Sequence, residues 1–201
     1  APVPPGTNAV VIQEDVARQG DQITVIGTPS GSDFIRPAGS DFKIGDTLAA
    51  PRTLSAGDVA LLAAMNVPNV AVHRRPQVAL LATGDELVMP GEIPRDDQII
   101  ASNCFGLAAI ITQVGGQPRV LPIARDNHAS LVAAFELAQG ADLIVTVGGA
   151  SVGDHDLVGG VAADLGMQQS FYKVAMRPGK PLMAGLLGDT PLIGLPGNPV
   201  S

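Results

Sequence analysis

The chain has 201 residues, is 46% hydrophobic but only 3% aromatic, and sets 12 Lys plus Arg against 19 Asp plus Glu for a net charge of −7. That balance, with a pI near 4.7, excludes nucleic acid as a partner. Phosphate backbones need clustered cations, and base stacking needs aromatic platforms. The hydrophobic content excludes a disordered chain, and the single cysteine, Cys104, excludes an intrachain disulfide or a multi-cysteine metal site.

In chain order, Ala1–Gly6 lacks the basic start and apolar stretch of a secretory signal. Val10–Ile12 and Ile23–Ile26 read as strands around a polar turn at Arg18–Asp21. Ser55, with Asp58 three residues on, predicts a capped short helix ending near Asn66. His73, Arg74, Arg75 and Pro76 mark a domain junction. From Gln77 the texture becomes strand–helix–strand. Val78–Leu81 predicts a strand, and Leu107, Ile110, Ile111 and Val114 lie on one face of a helix stopped by Gly115 and Gly116. Residues 98–118 are uncharged but interrupted by polar residues, so they read as a buried helix with flanks and not a membrane span. Val120–Ile123 predicts the next strand, Leu131, Phe135 and Ala138 a second helix, and Leu143–Val147 the clearest buried strand. Leu157, Val158, Val161 and Leu165 predict a third helix, and residues 182–187 and 191–195 two more strands. The fold class is α/β, a mostly parallel sheet with helices on both faces, preceded by part of small β-rich domains. Domain limits are read as residues 1–30 for a partial small β domain, 31–75 for a linker or partial elongated domain, and 76–201 for the α/β domain. The chain reads as soluble and cytoplasmic.

In such sheets ligands bind beyond the carboxyl ends of the strands. The Gly148–Asp156 loop after the best strand suits an anion, because glycines let backbone N–H groups approach it. A tight strand-to-helix turn is the plainer reading. Gly148 and Gly153 make half a P-loop, but Asp154 and His155 replace its Lys-Ser/Thr. Gly149–Gly153 matches a nucleophile elbow around Ser151, yet the only later histidine is His155, too close to serve as its base. Asp154 and Asp156 suit a divalent cation or an oriented water, or simply a helix N-terminus. Asp85, Glu86 and Asp126 end neighbouring strands, so several loops deliver carboxylates to one edge, which suggests a hard-metal or proton-transfer site. Residues 126–172 contain no Lys or Arg, and then Lys173, Arg177 and Lys180 arrive together, as a phosphate clamp would. Pro196, Gly197, Asn198 and Pro199 form a stiff turn after the last strand. His73 and His128 read as surface or capping residues, and Cys104 as a buried small residue.

Thr83-Gly84-Asp85-Glu86-Leu87, Gly148-Gly149-Ala150-Ser151-Val152-Gly153, Arg177-Pro178-Gly179-Lys180-Pro181 and Gly194-Leu195-Pro196-Gly197-Asn198-Pro199-Val200-Ser201 come in the order and spacing of the MoeA/gephyrin E-domain family. These are molybdopterin molybdenumtransferases. Ala1–Val11 and Phe34–Asp41 resemble its upstream segments, although Ser40 stands at a usual Glu position. The resemblance covers essentially the whole chain and implies a fragment lacking both ends, with residues from Gln77 on resembling the domain shared with MogA-type adenylyltransferases.

The resemblance implies insertion of molybdate into the dithiolene of adenylylated molybdopterin, release of AMP, and help from a divalent cation such as Mg²⁺. It makes Asp156, Glu86, Asp126 and Asp41 the catalytic candidates, with Asp156 and Glu86 holding the metal. Lys173, Arg177 and Lys180 would hold oxyanions. Thr83, Gly84, Asp85, Gly148, Gly149, Ser151, Gly153, Pro196, Gly197, Asn198 and Pro199 would shape the substrate pocket. It further implies a homodimer with a shared active site and a MogA-type adenylyltransferase as pathway partner. A MogA-like adenylyltransferase and a non-catalytic pterin-binding scaffold are the alternative readings.

Overall fold

The computed structural model describes residues 3–27, 34–149, 157–176 and 180–198. The chain divides into two units, Ala1–Ala71 and Val72–Ser201.

In the first unit a 3-10 turn at Gln13–Asp15 leads into a hairpin of β1 (Val16–Gln19) and β2 (Gln22–Val25). Gln19 pairs with Gln22 across a two-residue loop, and Gly20 takes a φ of 64° there. A positive φ is open to glycine at little cost, which is why the hairpin turns at that point. The strand expected at Val10–Ile12 therefore begins later, at Val16. Apolar content alone does not make a strand; a pairing partner does. Helix α1 (Ala56–Ala64) starts as the sequence predicts. The Ser55 hydroxyl accepts from the Asp58 N–H at 3.2 Å, and the Asp58 carboxylate accepts from the Ser55 N–H at 2.8 Å. The Ser55 N–H first, then the Ser55 hydroxyl, both donating to it at 2.8 Å, hold the Asp58 carboxyl below the usual carboxylate range. Among the described residues of this unit no apolar side chain is buried.

The second unit is organised by β3 (Gln77–Ala82) and β7 (Leu143–Val147), which pair in parallel near the centre of a six-stranded sheet. Between them in sequence come the two-residue strands β4 (Leu87–Val88) and β5 (Ile99–Ile100), α2 (Asn103–Gln113), β6 (Gln117–Val120) and α3 (His128–Leu137). After β7 come α4 (Leu157–Asp164), β8 (Met167–Tyr172), β9 (Met183–Leu187) and β10 (Thr190–Leu195). The strand order is β6-β3-β7-β10-β9-β8. β6, β3, β7 and β10 are parallel, while β9 runs against both its neighbours.

Alternation along β3 builds two cores. Ala79 and Leu81 join Leu131, Phe135, Val158 and Val161 on the α3/α4 face. Val78, Leu80 and Ala82 join Cys104, Val145 and Val147 on the α2 face, with Leu107 and Ile111 packed against them. β3 to β6 moves one way over α2, and β6 to β7 moves back over α3 on the other face, so both crossovers have the same hand. Strand β6 ends at Val120, and the chain beyond it stays tied to β3 by the Leu121 N–H to the Leu80 carbonyl and the Ala124 N–H to the Ala82 carbonyl, both at 2.9 Å, with an isolated bridge between Thr83 and Ala124. β8, with one buried residue and a polar middle, has no apolar run to announce it. Among the described residues no helix is long and apolar enough to cross a membrane.

Arg74 binds the Asp142 carboxylate through two nitrogens, and Asp142 also accepts from the Gln77 N–H at 2.7 Å, tying the entrance of β3 to that of β7. Arg74 first, then the Gln77 amide, hold the Asp142 carboxyl below its usual range. A depressed carboxyl pKa contributes stability that is complete above the unfolded value and lost as pH falls through the folded one. Urea midpoints should therefore drop more between about pH 6 and about pH 3 for the unmodified chain than for Asp142→Asn. Equal drops would show that the pair adds nothing.

Candidate functional site

The connections from β3 and β7 leave in opposite directions, one toward β6 and the other toward β8. Neighbouring parallel strands whose connections diverge open a crevice at their carboxyl ends. Thr83 follows β3 there and Gly148 follows β7. The Thr83 N–H donates to the Val147 carbonyl at 3.0 Å and the Gly148 N–H to the Leu195 carbonyl at 3.1 Å, so the loops after β3, β7 and β10 stay in register at their roots.

The Thr83–Glu86 loop is braced from its β6 side. The Gly84 N–H donates to the Ala124 carbonyl at 3.1 Å. The Asp126 N–H donates to the Asp85 carboxylate at 3.2 Å, and the Asp85 N–H to the Asp126 carboxylate at 3.4 Å. Arg125 donates from Nη1 to the carbonyls of Asp85 at 3.1 Å and Leu87 at 3.0 Å. The structure thus brings Asp85 and Asp126 together, each partnered by the other's backbone. Arg125 was missed by sequence reasoning. Its one signal was to be the last cation before the cation-free stretch. Glu86 folds its carboxylate over Gly84, where a Cβ would stand 2.4 Å from its Oε2.

Gly148 and Gly149 have φ of 99° and 70°, in the left-handed region. A Cβ on Gly148 would stand 2.5 Å from the Thr83 carbonyl oxygen, and one on Gly149 2.2 Å from Val158 Cγ2. Glycine is needed at both, by conformation and by space. On the other side Gly197 lies with its Cβ position 3.3 Å from Gly148 Cα. Asn103, in the first turn of α2, donates from Nδ2 to the Gly197 carbonyl at 2.8 Å. Gly197 and Asn103 line a cavity of about 500 Å³, floored by Ala82 and Val147, walled by Leu87, Ile100 and Cys104, with Glu86 on its border. That volume suits a ligand of cofactor size. Sequence reasoning also missed Asn103, since a polar residue at a helix start signals only a cap. Burial pushes the Cys104 thiol up to about 11, which fits a packed small residue and not a thiolate.

Lys173 and Lys180 sit on the connection between β8 and β9. The Lys173 N–H donates to the Leu182 carbonyl at 2.8 Å and the Val174 N–H to the Lys180 carbonyl at 3.0 Å. Strand polarity puts this connection on the same sheet edge as Thr83, Gly148 and Gly197. Lys173 Nζ lies 4.8 Å from the Tyr172 ring centroid. Three strand spacings separate β8 from β7, roughly 14 Å at ~4.8 Å each. Asp41 lies in the first unit and accepts from Arg36 Nη1 at 2.9 Å. Ser151, Gly153, Asp154, His155, Asp156, Arg177 and Pro199 lie outside the described residues. Among the described residues no three His, Cys, Asp or Glu side chains converge to hold a metal ion.

Residues 79–201 match a family model described as a probable molybdopterin binding domain, and residues 1–66 match the MoeA N-terminal region, domains I and II. The chain belongs to the MoeA family. A molybdopterin molybdenumtransferase from a Nostoc species is 37% identical over the whole chain, which spans 47% of that protein. One from Haemophilus influenzae is 38% identical, again over the whole chain and 50% of the relative. A MoeA molybdopterin biosynthesis protein structure from Pyrococcus horikoshii superposes with a TM-score of 0.67 at 32% identity, covering 96% of this chain and 49% of that one. The chain thus spans about half the length of the relatives it matches.

Within this MoeA-family site the glycine geometry gives a direct test. Gly149→Ala forces a left-handed alanine against Val158 and should cost at least about 1–2 kcal/mol. Gly160→Ala, in α4 with open space around its Cβ position, should instead add about 0.5–1 kcal/mol. Denaturant unfolding of both variants checks this, and an unchanged Gly149→Ala midpoint would refute the packing argument.

Proposed function

We propose that this chain carries the pterin-binding part of a molybdopterin molybdenumtransferase, which inserts molybdate into adenylylated molybdopterin and releases AMP. Family membership supports the reaction class. The observation that carries the reading is convergence: Thr83–Glu86, Gly148–Gly149, Lys173, Lys180 and Pro196–Asn198 all lie at one sheet edge. An elongated ligand with phosphates suits that edge better than a compact one. The glycine turn offers backbone close to a ligand at the centre, and the cations stand three strands away. The cavity would take the apolar faces of the heterocycle between Leu87, Ile100 and Val147. Glu86, on its border, would orient the bound pterin. Asp126 and Arg125 would act by holding the Thr83–Glu86 loop in place.

Mg²⁺ enters from the resemblance, as does Asp156 as its partner to Glu86. A magnesium ion is held by octahedral oxygens, and Asp85 and Asp126 are already paired with backbone, so the described carboxylates alone do not make its cage. No step is derived through the ion. Asp41 as a catalytic group, a homodimer with a shared site, a MogA-type adenylyltransferase as pathway partner and a cytoplasmic setting belong to the same reading and rest on the resemblance.

The assay is molybdate-dependent AMP release from adenylylated molybdopterin. Release supports the transferase. ATP consumption with unmodified molybdopterin marks an adenylyltransferase, and binding without either product marks a scaffold. Lys180→Ala should weaken binding of the adenylylated pterin more than the unadenylylated one, by roughly ten- to a hundredfold. Equal losses in calorimetry would place Lys180 away from the phosphates.

A further inference from the structure

Two buried hydroxyls on the α3/α4 side of the sheet, Thr83 Oγ1 and Thr146 Oγ1, have no hydrogen-bond partner among the described residues. Thr83 is 2% exposed and Thr146 fully buried. An unpaired buried hydroxyl costs about 1–3 kcal/mol, and valine would fill the same volume without that cost. The two differ in what they face. The Thr146 hydroxyl lies 3.3 Å from the Cβ position of Gly194, inside β10. The Thr83 hydroxyl lies 3.1 Å from the Cβ position of Gly148 and 2.9 Å from that of Gly149. It is aimed at the one turn of the crevice where both residues must be glycine.

We propose that Thr83 is a ligand-binding residue, its hydroxyl donating to a phosphate oxygen that enters at the Gly148–Gly149 turn. The inference rests on the pterin-binding reading above and assigns one donor within it. An unpaired donor beside a left-handed glycine turn supplies what an oxyanion lacks there: a hydrogen bond from a group already desolvated, whose cost is met before the ligand arrives. The hydroxyl should therefore harm the empty protein and help the occupied one.

The experiment reads both signs on the whole chain. Without ligand, Thr83→Val and Thr146→Val should each raise the thermal midpoint by roughly 2 °C or more. In calorimetry with molybdopterin, Thr83→Val should lose about ten- to a hundredfold in affinity. Thr83→Ser should keep most of the affinity, and Thr146→Val should bind like the unmodified chain. A Thr83→Val midpoint that falls shows a structural partner for the hydroxyl and overturns the proposal, as does unchanged affinity. If the unmodified chain fails to bind molybdopterin, the pterin reading fails, and inorganic phosphate decides the hydroxyl's role. Phosphate should then raise the midpoint of the unmodified chain but not of Thr83→Val. No difference between the two overturns the proposal.

Discussion

Everything at the candidate site depends on the parallel pairing of β3 with β7, buried on both faces. Leu81 sits beside Thr146 and Ala82 beside Val147, and the ladder runs on through the Thr83 N–H to the Val147 carbonyl. Because α2 covers one face and α3 with α4 the other, neither strand can slip without exposing a core. A one-residue shift would exchange Leu80 for Leu81 across the sheet. That rigidity lets two short loops meet at distances set by backbone, with glycine where a side chain would collide.

Polar contacts then fix what the sheet leaves open. Arg74 and Asp142 close the amino edge of the same strand pair. At the carboxyl edge the Asp85–Asp126 exchange and Arg125 hold the loop after β3. Asn103 holds the loop after β10. Catalytic and binding groups work when their supports are locked, and here the supports include an arginine and an asparagine with no motif of their own.

Much of the fold was legible because its elements carry strong periodic signals. Leu143–Val147 is an apolar run buried on both faces, and α2 ends at the two glycines that stop it. Ser55 and Asp58 form the capping box their spacing predicts. The misses have physical causes. β4 and β5 are too short for any period, β8 is an edge strand with a polar middle, and Val10–Ile12 has apolar residues but no strand to pair with. Of the candidate site, the glycines and the carboxylate-bearing loops were visible as strand-end residues. The roles of Arg125 and Asn103 were not, and Thr83 was marked only through the resemblance. Arg125 acts through contacts 38 to 41 residues away in sequence and Asn103 through one 94 residues away.

The central claim is that one sheet edge, at the crevice between β3 and β7, receives the pterin. Amide hydrogen exchange with and without molybdopterin tests it most directly. Binding there should slow exchange at residues 83–86, 148–149 and 197–198, while the opposite-edge turns at Gly140–Ala141 and Gly188–Asp189 stay unchanged. Slowing confined to the opposite edge, or none at all on a chain that binds the ligand, would contradict the account.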